Sequence, residues 1–324
     1  MLESILFYPG CALILAGTLS FIYPIRWLRI RTRGVALLVM AGGFLLVATA
    51  AGLFDSFFVY FGFALFLAGL ISLIRPLQFL YIRSRGLALI VAGGGVLLSL
   101  GALLLPYHWN EASTHTTKLD DWMPRWQVSE QHTLHVEAAP DKVFAAIHAV
   151  RADEILLFRT LIAIRRCGRT GPESIMNAPE DKSLLDVATQ TTFVLLEEEA
   201  PRELVIGTVI AAPRDARASG RLTPDLFRKT LRPGVVLATM NFVVQPDNHG
   251  GSTISTETRI YTNSPSALRG FGIYWRIIHP GSDIIRRMWL RAIRQRAEAN
   301  PKPKAVTGRA ASATRWCVPS RSGS

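Results

Sequence analysis

Four stretches of this chain contain no charged residue, and they follow one another through its first third: residues 4–23, 35–53, 57–74 and 87–105. Each runs for 18 to 20 residues, close to the ~20 that a helix needs to cross a ~30 Å hydrocarbon layer. Almost no polar face separates them, so in water they would have nowhere to turn. The sequence therefore predicts a membrane-embedded N-terminal part of four spans. The first is read as a retained span rather than a cleaved leader, because only Met1-Leu2-Glu3 stands before it, without a basic residue.

These segments state one pattern twice. At an offset of 52 residues the chain pairs Leu15 with Leu67, Gly17 with Gly69, Ser20 with Ser72, Pro24 with Pro76, Ile30 with Ile82, Arg31 with Arg83, Arg33 with Arg85 and Gly43 with Gly95. Each copy reads span, proline, basic turn ending Arg-x-Arg-Gly, then a span with a glycine pair. That is a duplicated helical hairpin, and together the copies predict an all-α four-helix transmembrane bundle over residues 1–106. The glycines let helices approach closely, where packing rather than hydrophobicity holds spans together.

A two-span unit repeated in tandem keeps its orientation, so both basic turns face one side. They carry Arg26, Arg29, Arg31 and Arg33 in the first copy and Arg75, Arg83 and Arg85 in the second. The opposite short ends, Met1 to Glu3 and Asp55-Ser56, carry none. The positive-inside bias then places both turns in the cytoplasm and whatever follows the fourth span on the extracytoplasmic face of the inner membrane. No ionisable residue lies within a span, so nothing there marks an ion or proton pathway. The spans are expected to anchor the chain, with contact to lipid or to a second copy in a homo-oligomer left open.

Charge separates the chain into three parts. Of the formal net +12, residues 1–106 hold seven basic and two acidic residues, residues 107–299 hold 24 and 22, and residues 300–324 hold five basic and no acidic ones. The middle part is close to neutral, so the high overall charge is not a nucleic-acid footprint. The 300–324 tail, rich in Ala, Ser, Pro and basic residues, is expected to be disordered. Cys11, Cys167 and Cys317 have neither metal-ligand nor disulfide spacing.

Residues 107–127 are polar, with Trp109, Trp122 and Trp126 scattered through them, and are read as a linker that tethers residues 128–299. There the periodicity changes. Residues 132–138 alternate as a half-buried strand does, and Pro140-Asp141 opens a helix with Val143, Phe144, Ile147 and Val150 on one face. A second helix is expected over 153–166, with strands over 191–198, 203–211, 234–245 and 252–262. A short helix at 224–231 and a long closing helix over 265–299, broken or kinked at Pro280-Gly281, complete the pattern.

Three segments carry a resemblance to a known family: VEAAPDKVFAAIHAV (136–150), MNFVVQPDNHGGSTISTETRIYT (240–262) and YWRIIHPGSDIIRRMWLRAIRQRAE (274–298). Over roughly residues 128–298 the chain resembles the START-like superfamily, also called SRPBCC or polyketide cyclase/lipid-transport, in a bacterial membrane-attached branch. The resemblance implies an α+β helix-grip fold, in which a curved antiparallel sheet grips a long C-terminal helix around an apolar cavity. It also implies a lipid, sterol, polyketide or other hydrophobic ligand, while some members are enzymes. Where that branch has an aromatic-rich strand end, this chain has TVIAAP (208–213), so the cavity mouth is expected to differ.

In the strand expected over 252–262, Glu257 and Arg259 are two residues apart and share a face. They can pair with each other across the surface, or grip a polar head group, since an arginine binds carboxylate or phosphate bidentately. Asn241 on the neighbouring strand adds an amide. Asn241, Glu257 and Arg259 are thus the candidate ligand-binding residues, and Glu257 would be the acid/base if the chain were a cyclase, dehydratase or hydrolase. A scaffold with a collapsed cavity is the third reading. On the closing helix Ile284, Ile285, Met288, Ala292 and Ile293 form an apolar stripe, and Arg286, Arg287, Arg291 and Arg294 on the back are the candidate membrane-surface residues. His132 and His135 fall on opposite faces of their strand, His148, His249 and His279 stand alone, and no cofactor or metal set is read.

Overall fold

The computed structural model describes residues 2–23, 30, 32–169, 171–213, 222–229, 233–248 and 250–299. The expectations for Pro24, Arg26, Arg29, Arg31, His249, Cys317 and the 300–324 tail concern residues outside that set. Four N-terminal helices come first: α1 (Leu2–Ile22), α2 (Arg33–Ala50), α3 (Phe54–Ile74) and α4 (Arg85–Leu104). α2, α3 and α4 are each long and apolar enough to cross a membrane, and α1 carries a shorter apolar stretch, Leu6–Ile22.

The repeat is visible in the packing. Thr32 caps α2 by accepting from the Val35 amide, and Ser84 caps α4 by accepting from the Leu87 amide, each at 3.2 Å. Ile30 and Ile82 are both buried in the turns that precede them. A Cβ on Gly69 would stand 2.6 Å from the Ala92 nitrogen and 2.7 Å from the Ala88 carbonyl, and Gly17 meets Ala36 and Met40 in the same way one repeat earlier. Gly10 lies against Gly43 as Gly62 lies against Gly95, so the duplication extends to a glycine pair before the matched residues named above. α1 packs on α2 and α3 on α4, with α2 and α3 the main contact between pairs. The helices thus form two tight hairpins side by side rather than one bundle with a shared core: small residues draw partners together only within each hairpin.

The remainder is an α+β unit. Its elements are β1 (Asn110–Glu111), α5 (Lys118–Trp122), β2 (Arg125–Trp126), β3 (Val128–Val136), α6 (Pro140–Ala149), α7 (Phe158–Arg165), α8 (Leu184–Thr191), β4 (Val194–Glu199), β5 (Glu203–Ala211), α9 (Pro224–Lys229), β6 (Val236–Pro246), β7 (Ser252–Tyr261) and α10 (Pro265–Glu298). The five long strands form an antiparallel sheet in the order β3-β7-β6-β5-β4, while β1 and β2 make a separate pair. On one face, Ile206, Met240, Phe242 and Ile254 pack with α6 and the C-terminal half of α10 through Val143, Ile147, Leu290 and Ile293. On the other face Leu119, Met123 and Phe227 cover Val194, Leu196, Val205 and Leu237.

Two coverings explain why β6 is buried at nine successive positions instead of alternating. They also correct the reading of residues 107–127 as a tether. Leu119 is fully buried there, and Thr117 caps α5 in a reciprocal box with Asp120. Two helices differ from expectation as well. α7 begins at Phe158 rather than 153, and α10 runs unbroken through Pro280.

α10 joins the two parts of the chain. Arg276, 2% exposed, donates to the Leu103 carbonyl at 3.1 Å, the Leu105 carbonyl at 2.8 Å and the Asp55 carboxylate at 3.2 Å. Its guanidinium lies 4.2 Å above the Tyr107 ring. The C-terminal carbonyls of a helix have no intrahelical partners and carry partial negative charge, so a buried arginine at the end of α4 satisfies both. Burial pushes the Tyr107 hydroxyl up to about 12. Tyr60, on α3, donates to the Ile277 carbonyl at 2.6 Å. All these contacts lie at the ends of α3 and α4 opposite the turn that carries Arg75, Arg83 and Arg85, about 30 Å away along 20-residue helices.

Candidate functional site

Between the sheet, α10 and α7 lies a cavity of two lobes, about 970 and 520 Å³, with walls in common. The larger lobe runs along β6, β7 and the N-terminal half of α10 and is lined by apolar groups such as Val236, Ala238, Ile260, Phe271 and Trp275. The TVIAAP stretch, residues 208–213, also lines this lobe. The smaller lobe is walled by Phe158, Leu161 and Ile164 of α7 and by Tyr60 of α3. Tyr60 is six residues into a helix that can span a membrane, about 9 Å along it at 1.5 Å per residue.

Serine and threonine hydroxyls, among them Ser174, Thr192, Thr258 and Ser266, are scattered through the larger lobe's wall, but its ionic groups are arginines. Arg165, Ser282 and Arg286 stand in the wall common to both lobes. Arg165, exposed at the rim, contacts the Tyr274 hydroxyl and lies 5.5 Å from the centre of that ring. Arg286 is partly buried and directs a guanidinium nitrogen to the Met240 sulfur. Desolvation by the apolar wall pushes its pKa below the ordinary guanidinium value, the longer-range charge of Glu130 opposes that, and the like charge of Arg165 adds to it. Trp289 is 3% exposed in the wall of the smaller lobe, and its indole N–H has no partner among the described residues. Among the described residues no aspartate or glutamate lines either lobe.

Asn241, Glu257 and Arg259 come together, as the shared faces of their strands require, but on the other side of the sheet. Arg259 bonds Glu257 at 2.6 Å, Asp120 at 2.8 Å and the Met123 carbonyl at 3.1 Å, and stacks 3.8 Å over Trp126. Asn241 donates to Glu203 at 2.8 Å and accepts from the Glu257 amide, while Glu203 also receives the Lys118 and Leu119 amides at the start of α5. The network is closed on itself and fastens α5 to the sheet. Burial pushes Asp120 up, but the Thr117 amide and Arg259 pull it to a net value below the usual carboxylate range.

The arginines expected at a membrane surface disperse. Arg286 enters the cavity wall, Arg287 is bound at both ends to Asp283 (2.9 and 3.1 Å), Arg291 is exposed, and Arg294 is half-buried. The buried stripe of α10 is Trp289, Leu290, Ile293 and Ala297, with Ile284 exposed. Of the expected stripe, Ala292 and Ile293 are in the core and Ile285 and Met288 pack against it, so that face holds except at Ile284.

A second polar cluster sits behind the cavity. Glu130, His132 and Asp283 are all buried, with potential metal-ligating atoms within 4.8 Å of one another. Every carboxylate there is already engaged: His132 meets Glu130 at 2.9 Å, Ser282 donates to Glu130 at 2.9 Å, and Arg287 clamps Asp283. With Arg287 supplying the positive charge, the cluster acts as an ion-paired clasp of α10 on β3. Glu130 and His132 are two apart on the inward face of β3, a spacing legible in the sequence; their partners from α10 were not. His279 stacks on Trp275 at 4.8 Å beside this clasp.

The clasp sets a pH dependence. Burial lowers the pKa of His279 below 6.5, against the opposing pull of Glu130 and Asp283. Glu130 is pushed up by burial but falls below 4.5 overall, through the His132 hydrogen bond and the charge of Arg286. The unfolded chain therefore binds more protons than the native one, first through His279 as pH falls from 6.5 to its folded value, then through Glu130 below 4.5. Melting temperature is expected to drop from pH 7.5 to pH 4. A His279→Gln variant should flatten the upper part of that drop; an unchanged profile in the variant would remove His279 from the account.

Comparison with protein-family models, with curated proteins and with solved structures gives no match to this chain. The reading of function therefore rests on the cavity and its setting.

Proposed function

We propose that this is a membrane-anchored START-like protein that binds one lipid or similar apolar molecule in its cavity, taking it from the adjacent bilayer. The observation that carries the reading is that Tyr60 of α3 lines the smaller lobe. A membrane helix forms part of the wall, so an apolar ligand can pass from bilayer to cavity without crossing water. The exposed apolar side chains Leu156, Leu157 and Ile164, beside Arg159, Arg165 and Arg166, give α7 and the turn before it the composition of an interfacial segment next to that lobe. Four spans, with basic turns in the cytoplasm and the α+β unit on the extracytoplasmic face of the inner membrane, agree with the position of the unit opposite the Arg75–Arg85 turn. Docking at a fixed distance from the bilayer raises the local concentration of membrane ligands.

Enzyme chemistry through Glu257 has no footing in this geometry, because that carboxylate faces α5 and is paired with Arg259.

Filling the larger lobe tests the proposal. Ala238 lines it and is 6% exposed. Full-length Ala238→Phe, purified from membranes, is expected to carry at least roughly tenfold less co-extracted lipid than the parent chain, with a melting temperature within about 4 °C of it. Equal lipid in both, measured by mass spectrometry after organic extraction, would empty the cavity of its proposed role.

A further inference from the structure

The cavity is apolar along most of its wall, yet its common wall carries two guanidinium groups and no carboxylate. Two like charges facing a low-dielectric space repel each other and lose hydration. Arg165 reaches solvent at the rim, whereas Arg286 is partly buried and has only the longer-range charge of Glu130 to answer it. Among the described residues Arg165 has the Tyr274 hydroxyl and ring, and Arg286 has the Met240 sulfur; neither has an ion-pair partner. Both arginines are donors, and both line the smaller lobe as well as the larger one.

Resting on the reading of the cavity as a lipid site, we infer that its ligand is an acidic amphiphile, with a carboxylate or phosphate head seated between Arg165 and Arg286 and an apolar body in the larger lobe. The head supplies the negative charge that the wall lacks. A planar guanidinium offers two parallel donors to a carboxylate or phosphate, a geometry that a neutral hydroxyl cannot match. The Ser282 hydroxyl on the same wall already donates to Glu130, so the two arginines are the donors left for the head. The larger lobe, close to the upper end of ordinary ligand cavities at ~1,000 Å³, takes the apolar body against Phe271, Trp275 and Ile260.

Chain-matched probes separate head from tail. The full-length protein, in nanodiscs of phosphatidylcholine, is loaded in turn with stearic acid, 1-stearoyl lysophosphatidic acid and stearyl alcohol at equal mole fraction. Native mass spectrometry then counts the bound adducts. The expected result is one adduct of the acid, the lysophosphatidate or both, with the alcohol bound roughly tenfold or more weakly, as loss of a charged hydrogen-bond pair implies. Which acid binds more tightly tells a carboxylate head from a phosphate head. In Arg286→Met the preference should collapse to parity, and Arg165→Gln, at the exposed rim where folding is not at stake, should reduce it. Equal binding of acid and alcohol in the parent chain would overturn the head-group inference and leave the lipid cavity standing. No adduct with any of the three would overturn both.

Discussion

Replacing Arg276 with alanine is expected to release the α+β unit from the apolar helices α3 and α4. The side chain is 2% exposed and is held by two carbonyls at the end of α4, the Asp55 carboxylate and the Tyr107 ring. Its removal leaves those carbonyls without a donor and Asp55 without its cation. Breaking a buried charge pair in this way costs about 3–5 kcal/mol; the partial exposure of Asp55 places this case toward the lower figure. A lysine should not restore the joint, because a single ammonium cannot fork between two carbonyls and a carboxylate while stacking on a ring. Spin labels at Gln78 and Lys142, both exposed, report the result in a chain without its native cysteines. A narrow distance distribution in the parent should broaden in Arg276→Ala. An equally narrow one would show that the Tyr60–Ile277 bond and neighbouring packing hold the joint without the arginine.

The second large effect is expected from Arg259→Ala, and it is one of stability rather than of ligand affinity. Arg259 is 6% exposed and answers Asp120, itself 3% exposed, together with Glu257. Truncation leaves two carboxylates facing each other under α5, with a cost of about 3–5 kcal/mol. It also removes the stacking on Trp126. Urea unfolding followed by tryptophan fluorescence should show the midpoint fall, while lipid retained per folded molecule stays at the parent level, since Arg259 touches the face remote from the cavity. A loss of lipid at unchanged stability would return Arg259 to the role that its sequence neighbourhood implied. The pairing of Arg259 with Glu257 was readable at two-residue spacing; which side of the sheet they occupy was not.

That difference recurs across the molecule. Helix and strand positions follow from local periodicity, and β5 was legible to the residue at 203–211 because alternating or continuous apolar runs bounded by turn residues admit few other structures. Residues 107–127 were illegible for the opposite reason. α5 is five residues long, too short for a period to show, and its burial comes from Glu203 and Asn241 far along the chain. The cavity arginines escaped for a related cause. Arg165 ends a short helix, and Arg286 belongs to an arginine-rich stretch in which composition alone cannot separate a solvated back from a cavity wall. The signal present was Ser282 and Arg286 falling on the line that continues Phe271, Trp275 and Ile278 at helical spacing.

By itself, the sequence determined the long apolar helices of residues 1–106, the duplicated hairpin with its glycines, and most of the helices and strands that follow, though not α5 or α8. These are properties of hydrophobic length and short-range period, which a chain carries wherever it folds. Only the tertiary structure decided that the hairpins pair internally, that a second layer covers the outer face of the sheet, that Asn241, Glu257 and Arg259 serve that layer, and that Arg165 and Arg286 face a common space beside α3. Each of these depends on which of two faces an element turns inward. A strand or helix presents both faces in its pattern, and contacts between residues far apart in the chain choose between them.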